Sequence, residues 1–472
     1  MSSAPPKAVA LRTDRAGAVG GDATTVTISH ARSLRALPLG SFRPSTRADR
    51  RPVWLDHDEV HTLLSTLQAG SATASARLAD NALAHLIAAK GGWSPHDPQD
   101  VVAGLHRILT RSRFLKGSRS CYPLDTAMAQ IAPFVETRQP IMILASGFPF
   151  KQHDNGLKAA GPWPDLAEFG ALLRLKELTT ACSALYPPGA RVVLLNDGGY
   201  ARPRGSAEIR SYQRQLRRYA QRLGLGDSVC FRDQSCFVAR LLGPRGWRRR
   251  EQHRHRFREL ISLLTPDSRS LDSAGRADQR LAEALPGGLL AGVPSFRDIL
   301  SSLVYSVPVP APAGTDPQQW ACAVLAWPDG YAEPDLSPDL AAARREVIAS
   351  AWQGSVNYLA ASLADAATGV AQHYPPHVRL ATVASRPGCS GFSYLGGSAL
   401  LPWHGTGCLD GRGLLCAEFL VSLDDRGFHP VYAGILGGAQ PLLMVPRTRV
   451  IHVAGRRRVD PGLLATARLR TR

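Results

Sequence analysis

The stretches IMILASGFPFK (residues 141–151) and ARVVLLNDGG (residues 190–199) flank DLAEFGALLRLKELTTACSALY (residues 165–186), and these three pieces decide the fold. Ile141 to Ala145 is a compact apolar run closed by Ser146 and Gly147, the pattern of a strand buried on both faces. Arg191 to Leu195 repeats that pattern and ends in Asn196, Asp197, Gly198 and Gly199. Between them Leu172, Leu175, Leu178, Cys182 and Leu185 fall on one helical face, and Pro187, Pro188 and Gly189 stop the helix. Two strands joined by a crossover helix lie parallel with a right-handed connection, and ligands gather at the carboxyl ends of such strands. The loop from Gly147 to Pro164 and the turn carrying Asp197 both fall at those ends.

Outward from this unit, Leu63, Leu64, Leu67, Leu78, Leu83, Leu86 and Ile87 recur at helical intervals and predict a helical lead-in over residues 53–114. Ser206 to Leu223 reads as a further helix with Ile209, Tyr212, Leu216 and Tyr219 along one side. Residues 265–334 are rich in Pro, Gly and Ala and read as a variable connector with short helices, followed by a helix around Leu340 to Ala366. Strands are expected at Val378 to Ala384, Val431 to Leu436 and Val450 to Val453. The expected fold class is α/β: a Rossmann-like, partly parallel sheet flanked by helices, with a C-terminal strand-rich portion. Residues 1–52, rich in Arg, Ser, Ala and Pro, read as a disordered basic extension, and residues 115–460 as the catalytic domain.

Composition narrows the function classes. No run approaches the roughly 20 apolar residues of a membrane-spanning helix, and Met1 to Gly20 lacks the apolar core of a secretory signal. A cytoplasmic location without membrane partners is expected. Eight cysteines lie scattered, with no CxxC pair and no Cys/His set at zinc-finger spacing, so neither a metal nor a disulfide framework is expected. The formal charge of +18 raises nucleic-acid binding as a rival. Its arginines concentrate in the first 51 residues, at Arg245 to Arg258 and at Arg456 to Arg458, with no nucleic-acid-binding signature, which favours solvated surface.

Several residues suit chemistry. Phe148-Pro149-Phe150-Lys151, with Lys158 beyond, sets two ammonium groups among aromatic rings at a strand end, suited to a phosphate or carboxylate on an organic substrate. The alternative is two solvent-exposed lysines on a loop. On that view of Lys151 as a loop residue, Lys151→Ala should spare the fold. Asp165 and Glu168 are either a carboxylate pair at a site or a capping box, and the two roles are compatible. Asp197 either faces a ligand or simply shapes a turn. In Pro402-Trp403-His404 an imidazole lies beside an indole, as a general acid or base or as a structural histidine.

Taken together these residues resemble the isonitrile synthases of the pyoverdine/dityrosine biosynthesis family. The resemblance rests on Phe148-Pro149-Phe150-Lys151, Lys158, Gly161, Pro164-Asp165-Leu166-Ala167-Glu168, Tyr186-Pro187-Pro188-Gly189-Ala190 and Asp197-Gly198. Tyr374-Pro375, Val378-Arg379-Leu380 and Pro402-Trp403-His404 extend it, over Leu115 to Gly455 in all. Where the family continues Ser-Ile-His-Pro after Arg379-Leu380, this chain reads Ala381-Thr382-Val383-Ala384-Ser385-Arg386-Pro387, so either Arg386 is the candidate substitute for the missing histidine or the chain has drifted to another substrate. The resemblance implies a cofactor-free reaction in which the α-amine of L-tyrosine or L-tryptophan meets the ketone of ribulose 5-phosphate, and a sugar carbon becomes the isonitrile carbon. It further implies an iron/2-oxoglutarate oxygenase acting downstream. An α-ammonium must lose a proton before it attacks, which makes Asp197 or His404 the candidate base. Lys151 and Lys158 would hold phosphate or developing oxyanions, and Phe148, Phe150 and Trp403 would line an aromatic slot. An enzyme giving an N-formyl product, or an inactive relative, is the alternative within the resemblance.

Overall fold

The computed structural model describes residues 52–151, 157–196, 207–265, 271–290, 293–304, 307, 309–316, 319–320, 323–324, 336–382, 385, 388–396, 400–434, 440–454 and 456–469. Of the expectations above, the N-terminal extension to Arg51, Asp197 and Arg386 lie outside the described residues. The first half of the chain forms β1 (Val53–Leu55), α1 (His57–Lys90), α2 (Pro98–Leu109), α3 (Leu124–Glu136), β2 (Ile141–Ser146), α4 (Leu166–Leu185), β3 (Ala190–Asn196), α5 (Ala207–Arg222) and β4 (Val229–Asp233). Helices α6 (Gln234–Leu264), α7 (Leu271–Ala284), α8 (Phe296–Leu303) and α9 (Pro338–Ala367) follow. The remainder is strand-rich: β5 (Val378–Ala381), β6 (Ser390–Gly391), β7 (Thr406–Leu409), β8 (Leu414–Glu418), α10 (Leu420–Asp425), β9 (Phe428–Ala433), β10 (Leu443–Pro446), β11 (Val450–Val453), β12 (Arg456–Val459), α11 (Pro461–Ala465) and β13 (Arg468–Leu469).

Two sheets carry the architecture. The first runs β4-β3-β2-β5-β6 and is parallel throughout, with Ile141 opposite Ala190 and Val192 opposite Val229. The second, β1-β9-β10-β7-β8-β13, mixes parallel and antiparallel pairs, and β11 and β12 form a separate hairpin. The α/β class, with a parallel sheet flanked by helices and a strand-rich C-terminal part, is the fold observed.

Helix α4 joins the two sheets. Asp165 caps its N-terminus in a full capping box with Glu168, and Gly189, at φ 70°, turns the chain after its end. It packs on α1 and α5 and against β3, β7 and β8, so nearly every side chain is buried, Glu168, Arg174 and Glu177 included. The sequence pattern marks a single apolar face, and the structure corrects this: a helix between two sheets has no solvent side. Gly170 lets β8 approach, since a Cβ there would lie 2.5 Å from Leu415 Cδ2.

Two further expectations are adjusted. Val53–Leu55, read as the start of a helix, is an edge strand paired in parallel with β9, Val53 opposite Val431. The strand expected at Val431 to Leu436 lies earlier, at Phe428–Ala433, and the one expected at Val378 to Ala384 ends at Ala381, Val383 and Ala384 lying outside the described residues.

Candidate active site

The chain leaving β2 turns sharply at the carboxyl edge of the parallel sheet. Gly147 packs so closely on Trp403 that a Cβ would lie 2.7 Å from the indole Cη2. Phe148 follows at φ 53°, a conformation bulky side chains rarely adopt and one that concentrates at functional sites. Contacts on both sides hold it there. Its carbonyl accepts a hydrogen bond from Gln213 Nε2 on α5, and its ring packs against Trp403 and Tyr394 at centroid distances of 4.9 and 5.5 Å. Phe150 is buried next to Lys151. Three rings from three segments, Phe148, Tyr394 and Trp403, thus form one aromatic wall.

Lys151 turns inward from this loop and is fully buried. Its Nζ donates to Glu168 Oε1 and Oε2 at 2.9 and 2.8 Å and to the Pro402 carbonyl at 3.0 Å, with Asp165 Oδ2 at 3.1 Å. Tyr212 OH donates to Glu168 Oε1 at 3.1 Å. Asp165 accepts from the Ala167 N–H at 2.8 Å and, across the molecule, from the Gly407 N–H at 3.1 Å. Capping and ion pairing therefore fall on the same two carboxylates. Burial, with the Asp165 carboxylate alongside, pushes the Glu168 carboxyl upward against the pull of Lys151. The view of Lys151 as a loop lysine whose loss the fold would tolerate is corrected: its removal leaves two carboxylates buried without their cation.

Lys158 is likewise fully buried, its ammonium 6.0 Å from the centre of the Phe419 ring. Its backbone is clamped from the mixed-sheet side, where the Leu420 N–H and the Thr406 hydroxyl both reach its carbonyl. Burial lowers the Lys158 pKa to about 7, so a substantial neutral-amine fraction exists at neutral pH. His404 is buried as well, in a short turn with Pro402 and Trp403. Burial, and then the positive charges of Lys158, Lys116 and Lys151, hold its imidazole well below the usual pKa. An ordinary imidazole titrating near neutrality is not what the structure provides. His404 is held in its neutral form in a positive field.

The structure brings Phe148, Phe150, Lys151, Lys158, Asp165, Glu168, Trp403 and His404 to one buried region between the sheets. Tyr212, Gln213, Tyr394 and Lys116 join them without having been singled out as site residues in the sequence. Tyr212 carried a signal, since it lies on the apolar side of α5, which covers the α4 N-terminus. Neither solvated-lysine reading survives, because both ammonium groups are interior. The cysteines are also less scattered than their spacing implies: Cys408 and Cys416 are cross-strand neighbours and, with Glu418, form the group of possible metal ligands found among the described residues. The arginine-rich run around Arg250 lies on α6, where Arg250 itself is buried in ion pairs with Glu251 and Asp365. Among the described residues no helix is long and apolar enough to cross a membrane.

Residues 131–272 match the family described as pyoverdine/dityrosine biosynthesis protein, which bears out the resemblance read from the motifs. The chain is 35% identical over 74 residues to an L-tyrosine isonitrile synthase of Xenorhabdus nematophila, covering 16% of this chain and 22% of that protein. It is 32% identical over 100 residues to an L-tryptophan isonitrile synthase of Fischerella ambigua, covering 20% and 31%. The chain therefore matches less than a third of the length of either curated relative. The crystal structure of the PvcA protein from Pseudomonas aeruginosa aligns with a TM-score of 0.41 at 18% identity, over 75% of this chain and 98% of that one.

Proposed function

We propose that this protein is an isonitrile synthase-like enzyme that converts the α-amine of an aromatic L-amino acid, tyrosine or tryptophan, to an isonitrile with ribulose 5-phosphate as carbon donor. The observation that carries the reading is the burial of both Lys158 and His404 in the region of the aromatic wall, with the Trp403 ring 5.9 Å from His404 and Lys158 lowered to about 7. Amine attack on a ketone needs a group that takes a proton near neutrality, and fixed positive charge for the phosphate and the developing oxyanion. Lys158, together with Asp197, which follows β3 in the sequence, is the candidate for the proton, and Lys158 in its protonated form and Arg386 are the candidates for the phosphate. Lys151 serves as a fixed cation. Its contacts favour that role over a Schiff base with the sugar, since its Nζ is already engaged by two carboxylates and the Pro402 carbonyl. Phe148, Phe150 and Trp403 supply apolar surface for the aromatic side chain.

Incubating the full chain with each aromatic amino acid and ribulose 5-phosphate labelled with carbon-13 at the ketone carbon, then analysing by mass spectrometry, tests this directly. One amino acid should yield a product whose new carbon carries the label, and Lys158→Met should reduce its formation by about a hundredfold. A labelled N-formyl product unaccompanied by isonitrile moves the assignment to an N-formylating enzyme. No labelled product from any amino acid overturns it.

A further inference from the structure

We propose that Cys408, Cys416 and Glu418 form a binding site for a thiophilic divalent cation, best matched by Zn2+, with three protein ligands and a fourth position for water or another small ligand. The site follows from strand geometry. In the antiparallel pair β7–β8, Cys408 lies opposite Cys416 and Thr406 opposite Glu418, and residues two apart share a face, so all four side chains project from the same side. The two Sγ atoms and a carboxylate oxygen lie within 4.8 Å of one another. Tetrahedral zinc, with bonds of about 2.0–2.3 Å, separates its ligand atoms by roughly 3.3–3.8 Å, so contraction by about 1 Å completes the set.

Charge balance supports a dication. Two thiolates and a carboxylate around M2+ leave one negative charge, and Arg426, paired with Glu418 and stacked on Phe428 at 4.9 Å, supplies the compensating positive one. A carboxylate can hold the guanidinium with one oxygen and the cation with the other. Sulfur ligands exclude Mg2+ and Ca2+. Leu420, Leu423, Phe428 and Met444 wall the sulfur side, while Glu418 keeps 27% of its side chain exposed and opens a path for entry. The cation would brace the corner where Thr406 and Leu420 hold the Lys158 carbonyl, and this role does not depend on the proposed reaction.

The test uses the full chain, reduced and stripped of metal, titrated with Co2+ as a spectroscopic probe and then with Zn2+. One equivalent of Co2+ should give a sulfur-to-cobalt charge-transfer band with the visible bands of a tetrahedral ion, and Zn2+ should abolish both while raising Tm. Cys408→Ser and Cys416→Ser should each remove the band. Glu418→Gln should weaken Co2+ binding about tenfold or more, and a Cys230→Ser/Cys236→Ser variant should behave as wild type. Circular dichroism confirms that each variant is folded. Absence of the band in the wild-type protein at millimolar Co2+ overturns the site, as does its persistence in both serine variants. Recovery of the protein, isolated in air before any reductant is added, with Cys408 and Cys416 joined and two hydrogens lighter would show an oxidised disulfide instead and overturn the site.

Discussion

Helix α4 carries two buried ion clusters, and they are built in opposite senses. At its N-terminus one cation, Lys151, faces two carboxylates, Asp165 and Glu168. Midway along, one carboxylate, Glu177, faces two guanidinium groups: Arg113 grips it with Nε and Nη2 at 2.8 and 2.7 Å, and Arg174 Nη1 reaches it at 2.7 Å. Burial lowers Arg174 to about 10, Glu177 opposing, so Arg174 remains a cation at neutral pH. In the terminal cluster burial, with the Asp165 carboxylate alongside, raises Glu168 against the pull of Lys151, and a tyrosine rather than a second cation completes it. The planar guanidinium fork makes the middle cluster a fixed brace. The terminal cluster holds a group that can change protonation, beside the loop and turn where chemistry is proposed. Burial and ion pairing alone do not separate a structural cluster from a functional one; the sign of the excess charge and the neighbours do.

The comparison breaks first on stability. Lys151→Ala and Glu177→Ala should each destabilise the protein by about 3–5 kcal/mol in urea unfolding, because each strands like charges in the interior. Replacing each cluster by apolar residues separates them. Arg174→Met with Glu177→Met should restore most of the stability and keep turnover, since Arg113 is partly exposed and can turn to water. Lys151→Met with Glu168→Met should reduce turnover by about a hundredfold even where the protein folds. Equal activity in the two double variants would make the terminal cluster merely a second brace.

Lys158 sharpens the contrast through pH. Its folded pKa, about 7, lies below the ordinary 10.5, so the unfolded chain binds the extra proton between those values. Its contribution to stability is therefore complete above 10.5 and is lost as pH falls through about 7. Over that window wild-type unfolding free energy should gain up to about 1.4 kcal/mol per pH unit relative to Lys158→Met. Matching slopes in denaturant titrations would place the Lys158 ammonium in water. The smallest effect is Tyr212→Phe, which removes one hydrogen bond to Glu168 and should cost about 1 kcal/mol.

What the sequence made legible was local. The capping box of Asp165 and Glu168 is written within four residues, and the strands on either side of α4 are continuous apolar runs, so both appear where expected. What it hid depends on partners far along the chain. β1 is three residues long and acquires strand character only by pairing with β9. Lys151 reads as a loop residue until α4 folds beneath it, and Cys408 and Cys416 read as isolated until β7 and β8 set their register. Periodicity reports one face of a helix; it does not report that the other faces are covered too, as the burial of Arg174 and Glu177 requires.

Asp165 divides its carboxylate between the Ala167 N–H two residues away and the Gly407 N–H 242 residues away, where a Cβ on Gly407 would lie 2.6 Å from Ala167 N. This ties the site to the order of synthesis. When the parallel strands as far as β4 have been made, α4 can form with half of its cap, but the second acceptor oxygen of Asp165 and the Pro402 carbonyl contact of Lys151 must wait for about 170 further residues. Closing contacts that distant is slow, because the intervening chain loses its freedom before they form. The charged interior is thus among the last parts of the molecule to be sealed, and until then Lys151 and its carboxylates remain in water, where their charges carry no penalty.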